Sequence, residues 1–200
     1  MNNPTDRVDF KQICDWIPEN ARILDLGCGD GSLLKMAEVQ RSARGYGIEI
    51  NVENIIRCVA KSVNVIQSDI DNGLADFDDN SFDTAILSQT LQAVHNPHLV
   101  LQELLRVGKQ GIVTFPNFGH WRCRLALLKG QMPVVKSLPN LWYDTPNIHL
   151  CTLRDFELLC QDQGIRILER AVLDTQKNRR VSNQFLPNLL GEVAIYRIEK

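Results

Sequence analysis

Short apolar runs at 22–26, 45–50, 63–66, 82–87 and 111–115 alternate with segments whose apolar residues recur at helical spacing. This alternation restricts the chain more than any other feature it has. Brief runs of Ile, Val and Leu that end in turn residues read as strands buried on both faces. Between them, Leu33, Leu34, Met36 and Ala37 mark one helical face, and Val52, Ile55, Ile56 and Val59 mark another behind an Asn51 cap. Leu101, Leu104 and Leu105 mark a third, begun by Asn96 and Pro97. Strand–helix–strand repetition joins parallel strands by right-handed crossovers, so the expected fold is α/β, a doubly wound, Rossmann-like, mostly parallel sheet.

The two ends of the chain add to this frame. Phe10, Ile13, Trp16 and Ile17 predict a first helix closed by Pro18. After strand five comes an aromatic- and proline-rich excursion, 116–150, followed by a Thr152/Asp155 capping box for a helix that ends at Gly164. The runs 165–168 and 193–198 are two further strands, with no helical period between them. They predict an antiparallel C-terminal edge hairpin with an enlarged loop, making seven strands in all. No repeat or linker divides the 200 residues, so 1–200 reads as a single domain.

Bulk chemistry narrows the partners. A hydrophobic content of 44% with 23% charged residues is globular, and a net charge of −2 gives no general attraction for nucleic acid or anionic lipid. Residues 1–10 contain no apolar signal core, and no apolar run approaches the ~18 residues of a membrane span. A cytoplasmic location is therefore expected. The six cysteines lack any paired spacing and read as reduced thiols that pack as small hydrophobes. His95 and His98 are separated by Pro97 and flank a helix start, so no metal site is expected.

The candidate site lies where strand one runs into Asp25-Leu26-Gly27-Cys28-Gly29-Asp30-Gly31 and a helix follows. Gly27, Gly29 and Gly31 let the backbone turn tightly and a ligand approach it. A dinucleotide would lay its pyrophosphate on the helix start, but Asp25 and Asp30 oppose that charge. S-adenosylmethionine, with an ammonium and a sulfonium, suits them. Glu49, about two dozen residues on, stands where such folds bind ribose hydroxyls. Asp69 is placed to accept from the adenine amino group, with Ile70 against the ring, and Ser88 and Gln89 to line the methionine end. Ile50 and Cys28 complete the candidate contacts, Cys28 as a small side chain tucked under the loop. These positions fall at the carboxyl ends of successive strands, where open α/β sheets bind ligands. The expected cofactor is S-adenosylmethionine, or S-adenosylhomocysteine.

Through the strand-one loop, Glu49, Asp69 and the run 82–87, roughly the first 115 residues resemble class I S-adenosylmethionine-dependent methyltransferases. Nearly the whole chain resembles the MetW family of methionine biosynthesis proteins. That resemblance rests on ILDLGCGDG (23–31), GYGIEI (45–50), NVIQSDID (64–71), LSQTLQAV (87–94), FPNFGHWRCRL (115–125) and WYDTPNIHLCT (142–152). It implies the class I methyltransferase fold and carries over Asp25, Gly27, Gly29, Gly31, Glu49 and Asp69 as donor-contacting positions. It also implies a partner, homoserine O-acyltransferase (acetyl- or succinyl-transferring), which proteins of that family bind and support.

Whether a methyl group moves is not decided by fold. Ser88-Gln89-Thr90-Leu91 at the end of strand four is not the Asp/Asn-Pro-Pro-aromatic pattern of amino-group methylases, which argues against methylation of nucleic-acid amines. His95, His120 and His149 are candidate bases, and no catalytic residue is assigned. Trp121, Leu125 and Leu128, interspersed with Arg122, Arg124 and Lys129, predict an amphipathic helix that covers the sheet, closes over the donor or anchors a partner. Trp142, Tyr143, Asp144, Pro146 and Asn147 are placed at the pocket mouth. Lys177, Arg179, Arg180, Phe185, Leu186, Leu189 and Leu190 read as a basic loop or a docking surface. Two functions remain open: a donor-binding accessory subunit of the acyltransferase, or a methyltransferase acting on a small molecule.

Overall fold

The computed structural model describes residues 7–175, 179–181 and 185–200. Its centre is β1 (Arg22–Leu26), whose last four residues are buried, as a strand covered on both faces requires. β1 pairs in parallel with β2 (Arg44–Glu49) on one side and β4 (Phe82–Ser88) on the other. β3 (Val65–Gln67) extends the first side and β5 (Gly108–Pro116) the second, both parallel. β8 (Val193–Glu199) then runs antiparallel between β5 and β6 (Arg166–Asp174), and β7 (Arg179–Val181) closes the edge. The order is β3-β2-β1-β4-β5-β8-β6-β7.

The doubly wound, mostly parallel sheet with an antiparallel C-terminal hairpin is thus the fold that forms. It has eight strands, because the stretch read as a basic loop contributes β7. That strand is Arg-Arg-Val, too short and too polar for alternation to register.

Successive strand residues face opposite ways, which divides the core in two. Ile23, Ile86, Ile112 and Ile195 meet α1 (Val8–Trp16), α2 (Ser32–Arg41) and α3 (Val52–Ala60) through Ile13, Leu33, Ala37 and Cys58. Leu24, Leu87, Val113 and Tyr196 meet α4 (Pro97–Val107) and α6 (Leu153–Asp162) through Leu101, Leu104, Phe156 and Cys160. Phe115, Phe156 and Tyr196 pack with ring centroids 4.7–5.9 Å apart, and the Tyr196 hydroxyl donates to Glu157 Oε1 at 2.9 Å. A buried tyrosine needs such an acceptor for its polar end.

Local signals hold at most helix starts. Asn51 accepts from the Glu53 and Asn54 N–H groups, and the Thr152/Asp155 capping box is complete. Asn96 makes no capping bond, so α4 begins on Pro97 alone. Two apolar stripes point outward instead of inward. In α3, Val52, Ile56 and Val59 are exposed and Cys58 supplies the buried contact. In α5 (Trp121–Leu128), Cys123 is buried while Trp121, Leu125 and Leu128 are exposed, so this helix does not cover the sheet with its expected face. Among the described residues no helix is long and apolar enough to cross a membrane.

Candidate functional site

The glycine loop after β1 is held by its own backbone. The N–H groups of Gly27 and Cys28 both donate to the Ile48 carbonyl, at 2.9 and 3.0 Å, and Gly31 donates to Cys28. Ser32 N–H is taken by Asp30 Oδ1 and Gly29 N–H by Glu49 Oε2 at 2.8 Å. Five N–H groups of the turn, those of Gly27, Cys28, Gly29, Gly31 and Ser32, are thus already committed and not offered to a pyrophosphate. Gly27 has φ +72°, and a Cβ there would sit 2.7 Å from Thr90, so glycine lets this loop meet the loop after β4.

Glu49, 7% exposed, does more than sequence reasoning assigned to it. Besides Gly29, it accepts from the N–H groups of Ile50 and Asn51 at Oε1, both at 2.9 Å. Its carboxylate therefore ties the end of β2 to the glycine loop. Because each carboxylate oxygen has two acceptor positions, Oε2 retains one for a hydroxyl donor.

In front of this clamp lies a cleft of about 540 Å³ lined by Gly27, Glu49, Ile50, Asp69, Ile70 and Gln89, together with Asp71, Thr90, His95 and Pro146. It contains three carboxylates, and no lysine or arginine lines it among the described residues. Asp69 also accepts from Asp71 N–H at 3.0 Å, fixing the turn after β3. Gln89 has φ +57°, a backbone conformation rare outside glycine, and its N–H is held by Thr114.

The other expected contacts lie behind this wall. Asp25 is buried, and its Oδ1 has no hydrogen-bond partner among the described residues. Burial pushes its pKa up to about 7; Arg7 pulls the other way and Glu49 adds to the rise. Asp30 faces Lys61, whose Nζ lies 2.5 Å from Oδ2, and its Oδ1 accepts from Ser32 N–H at the start of α2. Burial alone would raise its pKa, but Lys61 and Ser32 hold it below the ordinary carboxylate value. The like-charge argument against a pyrophosphate is accordingly weaker than the sequence implied, and the committed loop donors replace it. Cys28 is tucked under the loop as expected, its Sγ 3.9 Å from that of Cys58. Burial, then Asp25, pushes its thiol far above the ordinary value, so it is no nucleophile. Gly29, Gly31 and Ser88 shape the wall without lining the cleft. No group of residues suited to a metal occurs among the described residues.

Of the three candidate bases, only His95 lines the cleft. Its Nδ1 lies 2.8 Å from Asp71 Oδ2, and its backbone N–H also donates to Asp71. That hydrogen bond raises the His95 pKa. His149 sits behind it, with Nε2 3.3 Å from the His95 carbonyl, and His120 lines a different cavity. Of the five residues of 142–147 expected at the mouth, only Pro146 joins the lining; Trp142 and Asn147 line another cavity, while the Gln92 carbonyl accepts from Ile148 and His149. Sequence reasoning gave no individual role to Asp71 or Thr90. Both lie inside motifs already singled out, 64–71 and 87–94, which was the available signal.

Comparison with known proteins agrees with this geometry. The profile of the family described as methionine biosynthesis protein MetW matches residues 7–198. A bifunctional methionine biosynthesis protein MetXA/MetW of Rhodopirellula baltica is 33% identical over 201 aligned positions, covering 96% of this chain and 32% of that protein. The chain thus spans about a third of that relative's length. Among solved structures, an S-adenosylmethionine-dependent methyltransferase of Mesorhizobium loti superposes with a TM-score of 0.73 at 14% identity, covering 99% of this chain and 100% of that one. A possible histamine N-methyltransferase of Thermotoga maritima gives 0.69 at 17% identity, covering 98% and 89%. At such identities the likeness is one of fold.

Proposed function

The chain belongs to the MetW family of methionine biosynthesis proteins and has the class I methyltransferase-like fold, and on that basis we propose that it is an S-adenosylmethionine-binding accessory protein that associates with homoserine O-acyltransferase and supports its activity. The observation that carries the ligand assignment is the cleft: three carboxylates, no lysine or arginine among the described residues, and loop N–H groups turned inward. Such a surface attracts a cationic sulfur nucleoside and disfavours a pyrophosphate. Glu49 holds the ribose hydroxyls, Asp69 with Ile70 the adenine, and Gln89 and Thr90 the amino-acid end. When bound, the donor supplies an activated methyl group; the chain's own residues bind and orient it.

Support for the partner comes from the relative whose description joins MetXA to MetW in one protein. Thermal melting tests the ligand: saturation at a hundredfold over Kd should add about 2.7 kcal/mol for S-adenosylmethionine and its demethylated product. NAD should add nothing, and a stronger response to NAD would overturn the assignment. Co-purification with the acyltransferase, and a change in its rate on mixing, tests the partner. Independent elution with an unchanged rate would refute the association.

The His95–Asp71 pair at the cleft mouth favours a second reading, methyl transfer to a small molecule with His95 as base. Incubation of cell extract with labelled donor should then yield a labelled metabolite with wild-type protein and far less with His95→Ala. No labelled product would eliminate this reading and leave the accessory role standing.

A further inference from the structure

A second cavity, of about 400 Å³, opens farther along the same sheet edge, where the carboxyl ends of β5 and β6 and the start of β7 meet α5 and α7 (Pro187–Leu190). Its lining shares no residue with the donor cleft. β8 lies two strands from β4, about 10 Å at ordinary strand spacing, so the two sites are separate.

The floor of this cavity is charged and buried. Glu192, 2% exposed, accepts at Oε2 from the backbone N–H and the hydroxyl of Thr175, while Oε1 stands 3.8 Å from Arg122 Nη1. That separation is an ion pair without a hydrogen bond, and the Arg122 guanidinium also lies 5.1 Å from the Trp121 ring centroid. His120 is 4% exposed, its Nδ1 has no partner among the described residues, and burial holds its pKa below the ordinary value. Arg179 and Arg180 reach the rim from β7, and their side chains make no ion pair among the described residues. The opposite wall is apolar, formed by Trp121, Val181, Phe185 and Leu190.

Among the described residues, three guanidinium groups stand against the carboxylates of Asp174 and Glu192, one positive charge more than negative. We propose that this cavity is a binding site for a small monocarboxylate with an apolar body. Guanidinium forks match a carboxylate in shape and charge. A single negative charge balances the excess, whereas a phosphate dianion would overshoot it beside two fixed carboxylates. The apolar wall takes the rest of the molecule, and the volume falls in the range of small-molecule pockets. The inference does not depend on the donor reading, since it uses other residues.

Calorimetric titration of the whole protein with hexanoate as the probe tests the site. One saturable site is expected, with affinity unchanged when the protein is first saturated with S-adenosylmethionine and undisturbed by equimolar inorganic phosphate. Arg180→Ala, at an exposed position, should weaken hexanoate at least tenfold, and Arg180→Lys should weaken it less. Phe185→Ala should weaken binding of hexanoate more than of acetate. Absence of saturable binding, displacement by the donor, preference for phosphate, or indifference to Arg180→Ala would each overturn the proposal.

Discussion

The two cavities open along one edge of one sheet and differ in almost everything else. The proposed donor cleft belongs to the parallel half; its carboxylates are Glu49, Asp69 and Asp71, and its glycine loop is closed by backbone hydrogen bonds to β2. The second cavity belongs to the antiparallel half; arginines from α5 and β7 dominate it, and its floor is a buried glutamate. The sheet supplies only the place where chain ends converge. The sign of the side chains set there decides which molecules each half can hold.

The sharpest test of the contrast is Asp25, the buried acid beneath the cleft. The folded protein keeps a proton on it up to about pH 7, whereas the unfolded chain releases it near 3.8. Between these values the native state binds more protons, so this group's contribution to stability declines as pH rises through that window and stays low above it. Asp25→Asn, which has no proton to lose, should match wild type near pH 4 and exceed it at pH 8 by up to about 4 kcal/mol in urea titrations. Parallel pH profiles would mean that the carboxyl is ionised and partnered.

Next in size is Glu49→Ala. It leaves three backbone N–H groups without their acceptor, so the ligand-free protein should lose about 3 kcal/mol and the donor-induced melting shift should vanish. Hexanoate affinity should be untouched. An unaltered ligand-free melting point would break the clamp and leave Glu49 as a ligand contact only.

Asn117→Ala probes the other half. Asn117 is fully buried; its amide donates to the Asn188 and Gly191 carbonyls and its oxygen accepts from Gly119. Its loss should cost about 2 kcal/mol and weaken hexanoate while sparing the donor. If donor binding falls equally, the two halves are coupled. The smallest effect is expected for His95→Ala, whose exposed ring carries little of the fold; differential scanning calorimetry should find the melting temperature unmoved.

The parallel half was legible because its signals are local. Each strand ends within a few residues of a cleft-lining side chain or glycine, so Gly27, Glu49, Asp69 and Gln89 could be picked out in chain order and meet in one cleft. What was not legible depends on direction or distance. Helical spacing located the stripes Val52-Ile56-Val59 and Trp121-Leu125-Leu128 but could not say that they face outward. The Asp30–Lys61 and Asp71–His95 pairs join residues 31 and 24 positions apart, and no periodicity reports such a meeting. The second cavity draws on 120–122, Asp174, 179–181, Phe185, Leu190 and Glu192, positions linked only by the fold, so Arg179 and Arg180 read as a basic loop and Arg122 as part of a helix. Lys177, part of that reading, lies outside the described residues.

The placement of β8 between β5 and β6 has a consequence for synthesis on the ribosome. By the time β6 has emerged, every parallel strand is available, yet β5 and β6 still lack the neighbour that joins them. Both expose unpaired backbone edges until residues 193–199 arrive, with apolar stretches at 112–115 and 171–173, a template for pairing with other nascent chains. Slowing translation over that last stretch should therefore lower the yield of folded protein more than the same pause placed before β6.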